Sequence, residues 1–362
     1  MAPVTVEIQI AAIDGAAFAG VARDGMLTDL WGERLDRAGL IGSVYAAKVL
    51  RADRTAGAAF LDIGAERPAY LPLRPGRAVP VEGGLALVQI VGEPREDKGA
   101  EATLDVALAG RWLVHVPESG EVTVSRELGP GARQQWRRLL SGGWIVRRAA
   151  AEAALPAVEA EACRLSDRWA SIQARFGAAR GPELLERGPG VARRALLDNP
   201  GASLVRLDSA ATDPALAPWI RHEFGDAAPR LETGPTDIPD LLPALLDPVV
   251  ALPSGGSIVI EPTRALTVID VNAGAARDPF HANREAAAEI ARQLRLRNVG
   301  GIVVIDFISM KRRDEGLVVA ALRRAVEGDP ARLRLADRLS SLGLFELARE
   351  RRGPALFELA AP

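Results

Sequence analysis

Two strings decide the reading of this chain: Leu266-Thr267-Val268-Ile269-Asp270-Val271-Asn272 and Ile302-Val303-Val304-Ile305-Asp306-Phe307. Each is a short run rich in β-branched residues that ends on an aspartate, the pattern of a buried strand. Between them, residues 283–297 keep apolar positions at helical spacing, and Gly300-Gly301 is expected to supply a left-handed helix end. A strand, a helix and a second strand form a right-handed crossover that makes the two strands parallel neighbours. Both carboxylates then lie at one end of the sheet, where the sites of such sheets are found. Two carboxylates and the Asn272 amide oxygen make a hard oxygen cradle suited to Mg²⁺ or Mn²⁺, and with no His or Cys beside them zinc is a poor fit. An aspartate after a strand also serves as a helix N-cap or turn former. The pairing in linked strands, with Asn272 beside one, is what favours a site.

Working outward, residues 257–260 read as a further strand, set off from 266–271 by the turn Glu261-Pro262-Thr263-Arg264, and residues 317–327 as a helix. Near the start, 4–10 alternates, and 18–23 and 26–31 read as a hairpin turned at Asp24-Gly25. Residues 44–52, 58–63, 69–71, 85–91 and 102–106 are five short β-rich runs separated by Gly or Pro, the size of a small closed OB-type barrel. Residues 132–140 and 149–174 turn helical, and 180–253 is rich in Pro, Gly and Asp, with strands such as 203–207 between short helices. There is no internal repeat. The residues by themselves indicate an α+β chain with an inserted barrel.

Composition narrows the chemistry. The 362 residues are 48% hydrophobic and 25% charged, which excludes a mainly disordered chain. No apolar run reaches membrane-span length and no secretory pattern opens the chain, so no membrane partner and a cytoplasmic location are expected. One cysteine, Cys163, excludes an internal disulfide framework and a Cys-rich zinc site. The three histidines, His115, His222 and His281, hold no ligand spacing, so any chemistry falls to acidic groups. Net charge is −2, yet residues 284–352 carry 15 basic and 10 acidic side chains. With only three lysines the positive charge is nearly all guanidinium, the group that grips phosphate in a bidentate fork. No Gly-x-x-x-x-Gly-Lys loop is present, and Gly83-Gly84 and Gly255-Gly256-Ser257 read as turns.

Gly255 through Ile260, Asp270-Val271-Asn272, Asn283 through Ala287, Glu289 through Arg297 and Gly300 through Phe307 resemble the catalytic core of the ribonuclease E/G family. Gly42-Ser43-Val44-Tyr45 and Ala58 through Arg67 resemble that family's inserted RNA-binding barrel. Residues 15–150 and 250–355 carry the likeness; 151–250 match weakly. The resemblance implies an α+β multidomain chain: an RNase H-like subdomain in two parts (1–38 and 191–250), an OB-fold RNA-binding domain (39–117), a 5′-sensor-like region (118–190) and a DNase-like α/β catalytic subdomain (251–362). It implies an endoribonuclease of RNA processing and decay that cuts single-stranded A/U-rich RNA and leaves 5′-phosphates. Asp270 and Asp306 would hold one Mg²⁺, with Asn272 orienting it.

By the same resemblance Phe60 and Tyr70 offer aromatic faces to bases, although plain barrel core suits both residue types equally. Lys98, in Asp97-Lys98-Gly99, matches a lysine near the cleavage point, and Gly92 stands where the family has a second lysine, which weakens the expected grip on RNA. A 5′-monophosphate pocket would use Gly110, Val114, Arg147 and Arg332. Arg148 replaces a threonine there, either as a phosphate donor or as bulk filling the pocket. No Cys-Pro-x-Cys stretch is present, so no zinc and no zinc-linked dimer are expected; a monomer or another homo-oligomer is. The competing reading is an RNA-binding protein on the same scaffold with lost or weak cleavage. Keeping two carboxylates facing a polyanion argues against it, because without a metal they repel phosphate.

Overall fold

The computed structural model describes residues 4–74, 76–94, 98–211, 213–275 and 278–360. The chain divides into two compact units, one made of Met1–Asp36 with Gly201–Pro362 and the other of Arg37–Pro200. The first unit opens with β1 (Val6–Ile13), β2 (Ala16–Arg23) and β3 (Met26–Arg34), an antiparallel meander. Both of its turns are two-residue Asp-Gly pairs with positive φ throughout: Asp14 +47° and Gly15 +78°, then Asp24 +49° and Gly25 +80°. That conformation matches the right-handed twist of the flanking strands.

The second unit contains the barrel. β4 (Val44–Asp53), β5 (Ala58–Asp62), β6 (Ala69–Pro72), β7 (Leu85–Gly92) and β8 (Glu101–Thr103) pair in the order β4-β5-β6-β8-β7, and β7 returns to β4. The sheet therefore closes, which removes its edges. Val49, Leu61, Leu71, Val88 and Ile90 fill the interior. The last of the five strands is shorter than the 102–106 run suggests. Past it the chain builds a second sheet, β11-β12-β10-β9, from β9 (Leu108–Ala109), β10 (Leu113–His115), β11 (Val122–Val124) and β12 (Trp144–Val146). Two helices pack on it, α1 (Gly129–Leu139) and α2 (Leu155–Ala178), around Trp136, Trp144, Trp169 and Leu165. A short strand, β13 (Glu183–Glu186), lies along β4, and α3 (Gly190–Asp198) completes the unit.

The chain then returns to the first unit. β14 (Leu204–Leu207) and β15 (Arg230–Thr233) extend the opening meander in parallel, giving the order β3-β2-β1-β14-β15, with α4 (Leu216–Phe224) between them. α5 (Ile238–Leu246) covers this sheet through Ile238, Leu242 and Leu245. The last sheet runs β16-β17-β18-β19-β21-β20: β16 (Val249–Ala251), β17 (Ser257–Pro262), β18 (Leu266–Asn272), β19 (Gly301–Asp306), β20 (Leu333–Leu335) and β21 (Leu344–Arg349). α6 (Pro279–Leu296) joins β18 to β19 and α7 (Arg312–Ala325) follows β19. Both bury Ile290, Leu294, Val318 and Leu322 against Ile258, Ile269, Val303, Ile305 and Phe345 of the sheet.

Two local expectations need correction. Residues 261 and 262 belong to β17, so the reversal is made by Thr263, whose hydroxyl accepts from the amides of Ala265 and Leu266. The left-handed residue after α6 is Asn298, with φ +47°, and Gly301 instead starts β19 at φ +95°. Asn enters this region more readily than most residues; here its side-chain amide is also tied to a distant segment, donating to the Pro354 carbonyl at 2.9 Å.

Candidate active site

β18 and β19 are parallel neighbours with Ile269 opposite Ile305 and Asp270 opposite Asp306. Alternation sends Ile269, Val271, Val303 and Ile305 into the helical core and leaves Asp270, Asn272 and Asp306 on the other face. The two carboxylates therefore rise from adjacent strands, roughly 4.8 Å apart in backbone spacing. The row across the sheet is Val259–Asp270–Asp306–Leu344. One step along the strands the row is Glu261–Val268–Val304–Glu346. The aspartates thus stand at one end of a β-sheet face that α6 and α7 do not cover.

Asn272 is tied to this pair directly: its Nδ2 donates to Asp270 Oδ2 at 2.7 Å. The bond fixes the Asp270 carboxylate and leaves Asp306 exposed beside it. Among the described residues no three His, Cys, Asp or Glu side chains converge on one point as metal ligands. That donor set, two carboxylates and an amide with no nitrogen or sulfur ligand, fits Mg²⁺ or Mn²⁺, which bind through one or two carboxylates and keep waters for a substrate phosphate to replace.

A buried polar side chain braces the end of β19. Asn283, fully buried in α6, donates to the Ile308 carbonyl at 2.8 Å and accepts from the Ile308 amide at 3.0 Å. It clamps the segment that leaves β19 straight after Asp306. A signal for it exists in the sequence. Asn283 sits on the apolar stripe of α6 with Ala287, Ile290 and Leu294, and a polar side chain in a core position needs a partner.

On the barrel, Phe60 and Tyr70 are opposite each other on β5 and β6, with ring centroids 6.2 Å apart and planes at 68°. They are 38% and 39% exposed, so they are not barrel core. Lys98 is exposed next to the start of β6. Gly99 makes that approach possible, since a Cβ there would lie 1.8 Å from the Pro68 carbonyl oxygen. Asp97 of the same motif lies outside the described residues.

Gly110, Val114 and Arg147 come together at β9, β10 and the end of β12. The Arg147 guanidinium donates to the Gly110 carbonyl at 2.9 Å and to Asp198, while its amide donates to the Trp112 carbonyl. Arg148 points into solvent and pairs with Glu127 at 2.9 Å. Arg332 belongs to the other unit, just before β20, where its amide meets Glu350 at 3.2 Å. Beneath Gly110 lies a carboxylate that residue-type reasoning passes over. Glu161 of α2 is buried and accepts the amides of Arg111, Trp112 and Leu113 at 2.6, 2.8 and 2.8 Å. Burial raises its pKa, and the three amide bonds oppose that rise. A Cβ at Gly110 would lie 2.7 Å from this carboxyl carbon, so a larger residue there would displace the carboxylate from its amides.

Comparison with known proteins identifies the family. Residues 107–352 match the family model described as "Ribonuclease E/G family". The chain is similar to ribonuclease E of Nostoc sp., 35% identical over 362 residues, covering 88% of this chain and 52% of that protein. It is similar to ribonuclease G of Escherichia coli K12, 31% identical over 390 residues, covering 95% of this chain and 78% of that one. Against ribonuclease E of the same bacterium identity is 33%, over 87% of this chain and 34% of the relative. The chain therefore spans about half of the first relative and a third of the last. A match of this length, at these identities, places the chain in the ribonuclease E/G family.

Proposed function

We propose that this chain is a Mg²⁺-dependent endoribonuclease of RNA processing and decay, acting in the cytoplasm on single-stranded A/U-rich RNA and leaving 5′-phosphate ends. The observation that carries the reading is the register pairing of Asp270 with Asp306, with Asn272 bonded to the first, on the sheet face opposite α6 and α7. Asp270 and Asp306 hold the cation, and Mn²⁺ suits the same ligands. Mg²⁺ bound there supplies positive charge to the scissile phosphate and lowers the pKa of an attacking water. Asn272 keeps the Asp270 carboxylate in one orientation. Asn283 holds the segment after Asp306, so the second carboxylate does not have to be ordered when RNA arrives.

The remaining assignments follow from the family. The opening meander with its two added parallel strands is read as the RNase H-like subdomain, the closed barrel as the OB-fold RNA-binding domain and the last sheet as the DNase-like catalytic subdomain. Phe60 and Tyr70 stack on bases and Lys98 contacts the backbone. Gly110, Val114, Arg147 and Arg148 read a 5′-monophosphate. For Arg147 and Arg148 that task requires an exchange of partners, because the first guanidinium already meets Asp198 and the Gly110 carbonyl and the second meets Glu127. A monomer or a homo-oligomer without shared zinc is the expected assembly.

The test is cleavage of a short fluorescent A/U-rich RNA with a 5′-monophosphate, in Mg²⁺ and in chelator, by the wild type and by Asp270→Asn and Asp306→Asn. Cutting that requires the metal and disappears in both variants supports the reading. Tight binding without cutting, unchanged by either substitution, makes the chain an RNA-binding protein. Equal rates on 5′-phosphate and 5′-hydroxyl RNA remove the 5′-end assignment alone.

A further inference from the structure

α1 carries Arg133, Arg137 and Arg138 within eleven residues and not one acidic side chain. Trp136 anchors its inner side in the core. At 100° per residue, Arg133, Arg137, Pro130, Gln134 and Arg138 form one continuous outward arc, and together they line a shallow depression of about 350 Å³. Other arginines in the same unit answer carboxylates: Arg51 meets Asp53, Arg74 and Arg77 meet Asp105, Arg148 meets Glu127, Arg168 meets Glu186 and Arg175 meets Glu183. Among the described residues no carboxylate meets Arg133, Arg137 or Arg138, and the one acid just before the helix, Glu127, is engaged by Arg148. Arg133 and Arg137 stand one turn apart, a like-charge spacing that destabilises a helix.

We infer that the outer face of α1 is an exosite for the phosphate backbone of RNA, separate from the cleavage residues. Arg137 and Arg138 present forks to phosphate oxygens, Arg133 adds its terminal N–H groups while its Nε donates to the Gly129 carbonyl at 3.2 Å, and Gln134 adds an amide. Arg133 and Arg137 are about 6 Å apart along the helix axis, a spacing that lets one strand engage both. The arc offers no apolar anchor of the kind a peptide partner needs, and Leu139, the exposed apolar residue of α1, lies on the opposite side. A polyanion read by charge alone suits this surface better than an acidic protein. The inference rests on RNA being the substrate and adds a holding surface to the cutting site.

The test uses the whole chain and the variant Arg133→Gln/Arg137→Gln/Arg138→Gln, in which a good helix former replaces each cation. Far-UV circular dichroism first establishes that α1 is retained. Binding and cleavage are then measured on a long unstructured RNA and on a short oligonucleotide. The variant should bind the long RNA on the order of tenfold more weakly, with a log–log salt slope less steep by about 2, three lost cations at roughly 0.7 each. Its kcat/KM on the short oligonucleotide should match the wild type. An unchanged slope and affinity on long RNA overturns the exosite, and so does an equal loss on both substrates, which would put α1 in the cleavage machinery. If RNA binding is unchanged while polyglutamate binding to the wild type is lost in the variant, the face takes acidic protein and the proposal fails. Should the wild type cut neither RNA, the nuclease reading has failed, and the binding slope still decides the exosite.

Discussion

Asn272 holds Asp270 with a single 2.7 Å bond, while Asp306 stands opposite on the next strand without being locked by it. The three residues should therefore respond differently to substitution. If Asp270 and Asp306 hold the cation as proposed, Asp270→Asn or Asp306→Asn is expected to lower kcat by roughly 10²–10³-fold or more, at unchanged RNA affinity. Asn272→Ala leaves both carboxylates and should weaken Mg²⁺ dependence by about 10–100-fold, read as a shift in the Mg²⁺ titration of the rate. Glu161 poses a different test. Glu161→Ala strands the buried Leu113 amide, at about 1–3 kcal/mol, and two part-buried amides beside it, so thermal denaturation should show a clear loss. Its carboxyl binds a proton more readily in the folded chain than at the ordinary value of 4.5. The native state then gains stability as pH falls from neutral through the raised pKa towards 4.5, and loses it as pH rises through that same window. Glu161→Gln removes this dependence, so the stability gap between wild type and variant should widen in favour of the wild type on acidification, measured by melts across that range.

The elements that carry function differ in how openly the chain announces them. β18 and β19 are read correctly in isolation, because two β-branched runs joined by a helix allow essentially one handed connection. β21 is not, since Leu344-Phe345-Glu346-Leu347-Ala348-Arg349 is built mostly of helix formers; it becomes a strand because β19 and β20 pair on both its sides. The barrel strands are legible from their Gly and Pro breaks, whereas the outward aim of Phe60 and Tyr70 is not, as an aromatic ring satisfies a core equally well. Phe60→Ala and Tyr70→Ala should each weaken RNA binding by about 1–3 kcal/mol, seen by fluorescence anisotropy, with the melting temperature nearly unchanged because both rings are exposed. Asn283→Ala breaks the clamp between α6 and the segment after Asp306. It should cost about 1–3 kcal/mol of stability and lower kcat more than it raises KM, which steady-state kinetics resolves.

The unit formed by Arg37–Pro200 is continuous in sequence, while the other is assembled from the two ends of the chain. Residues 37–200 expressed alone are expected to fold cooperatively, bind RNA and cut none, since Asp270 and Asp306 are absent; calorimetry and a cleavage assay check this. Composition and patterning alone pointed to an α+β chain with an inserted barrel and to the candidate pair Asp270 and Asp306. These are local properties: they depend on residue types and on periodicities of two or 3.6, which neighbouring residues share. Glu161 is found on the apolar stripe of α2 and Asn283 on that of α6, and each announces a buried polar group in need of a partner. The partners themselves, the amides of residues 111–113 and the backbone of Ile308, lie 48–50 and 25 residues away in sequence. Folding chose them, because a buried polar atom must be satisfied by whatever the packed chain brings within hydrogen-bond reach.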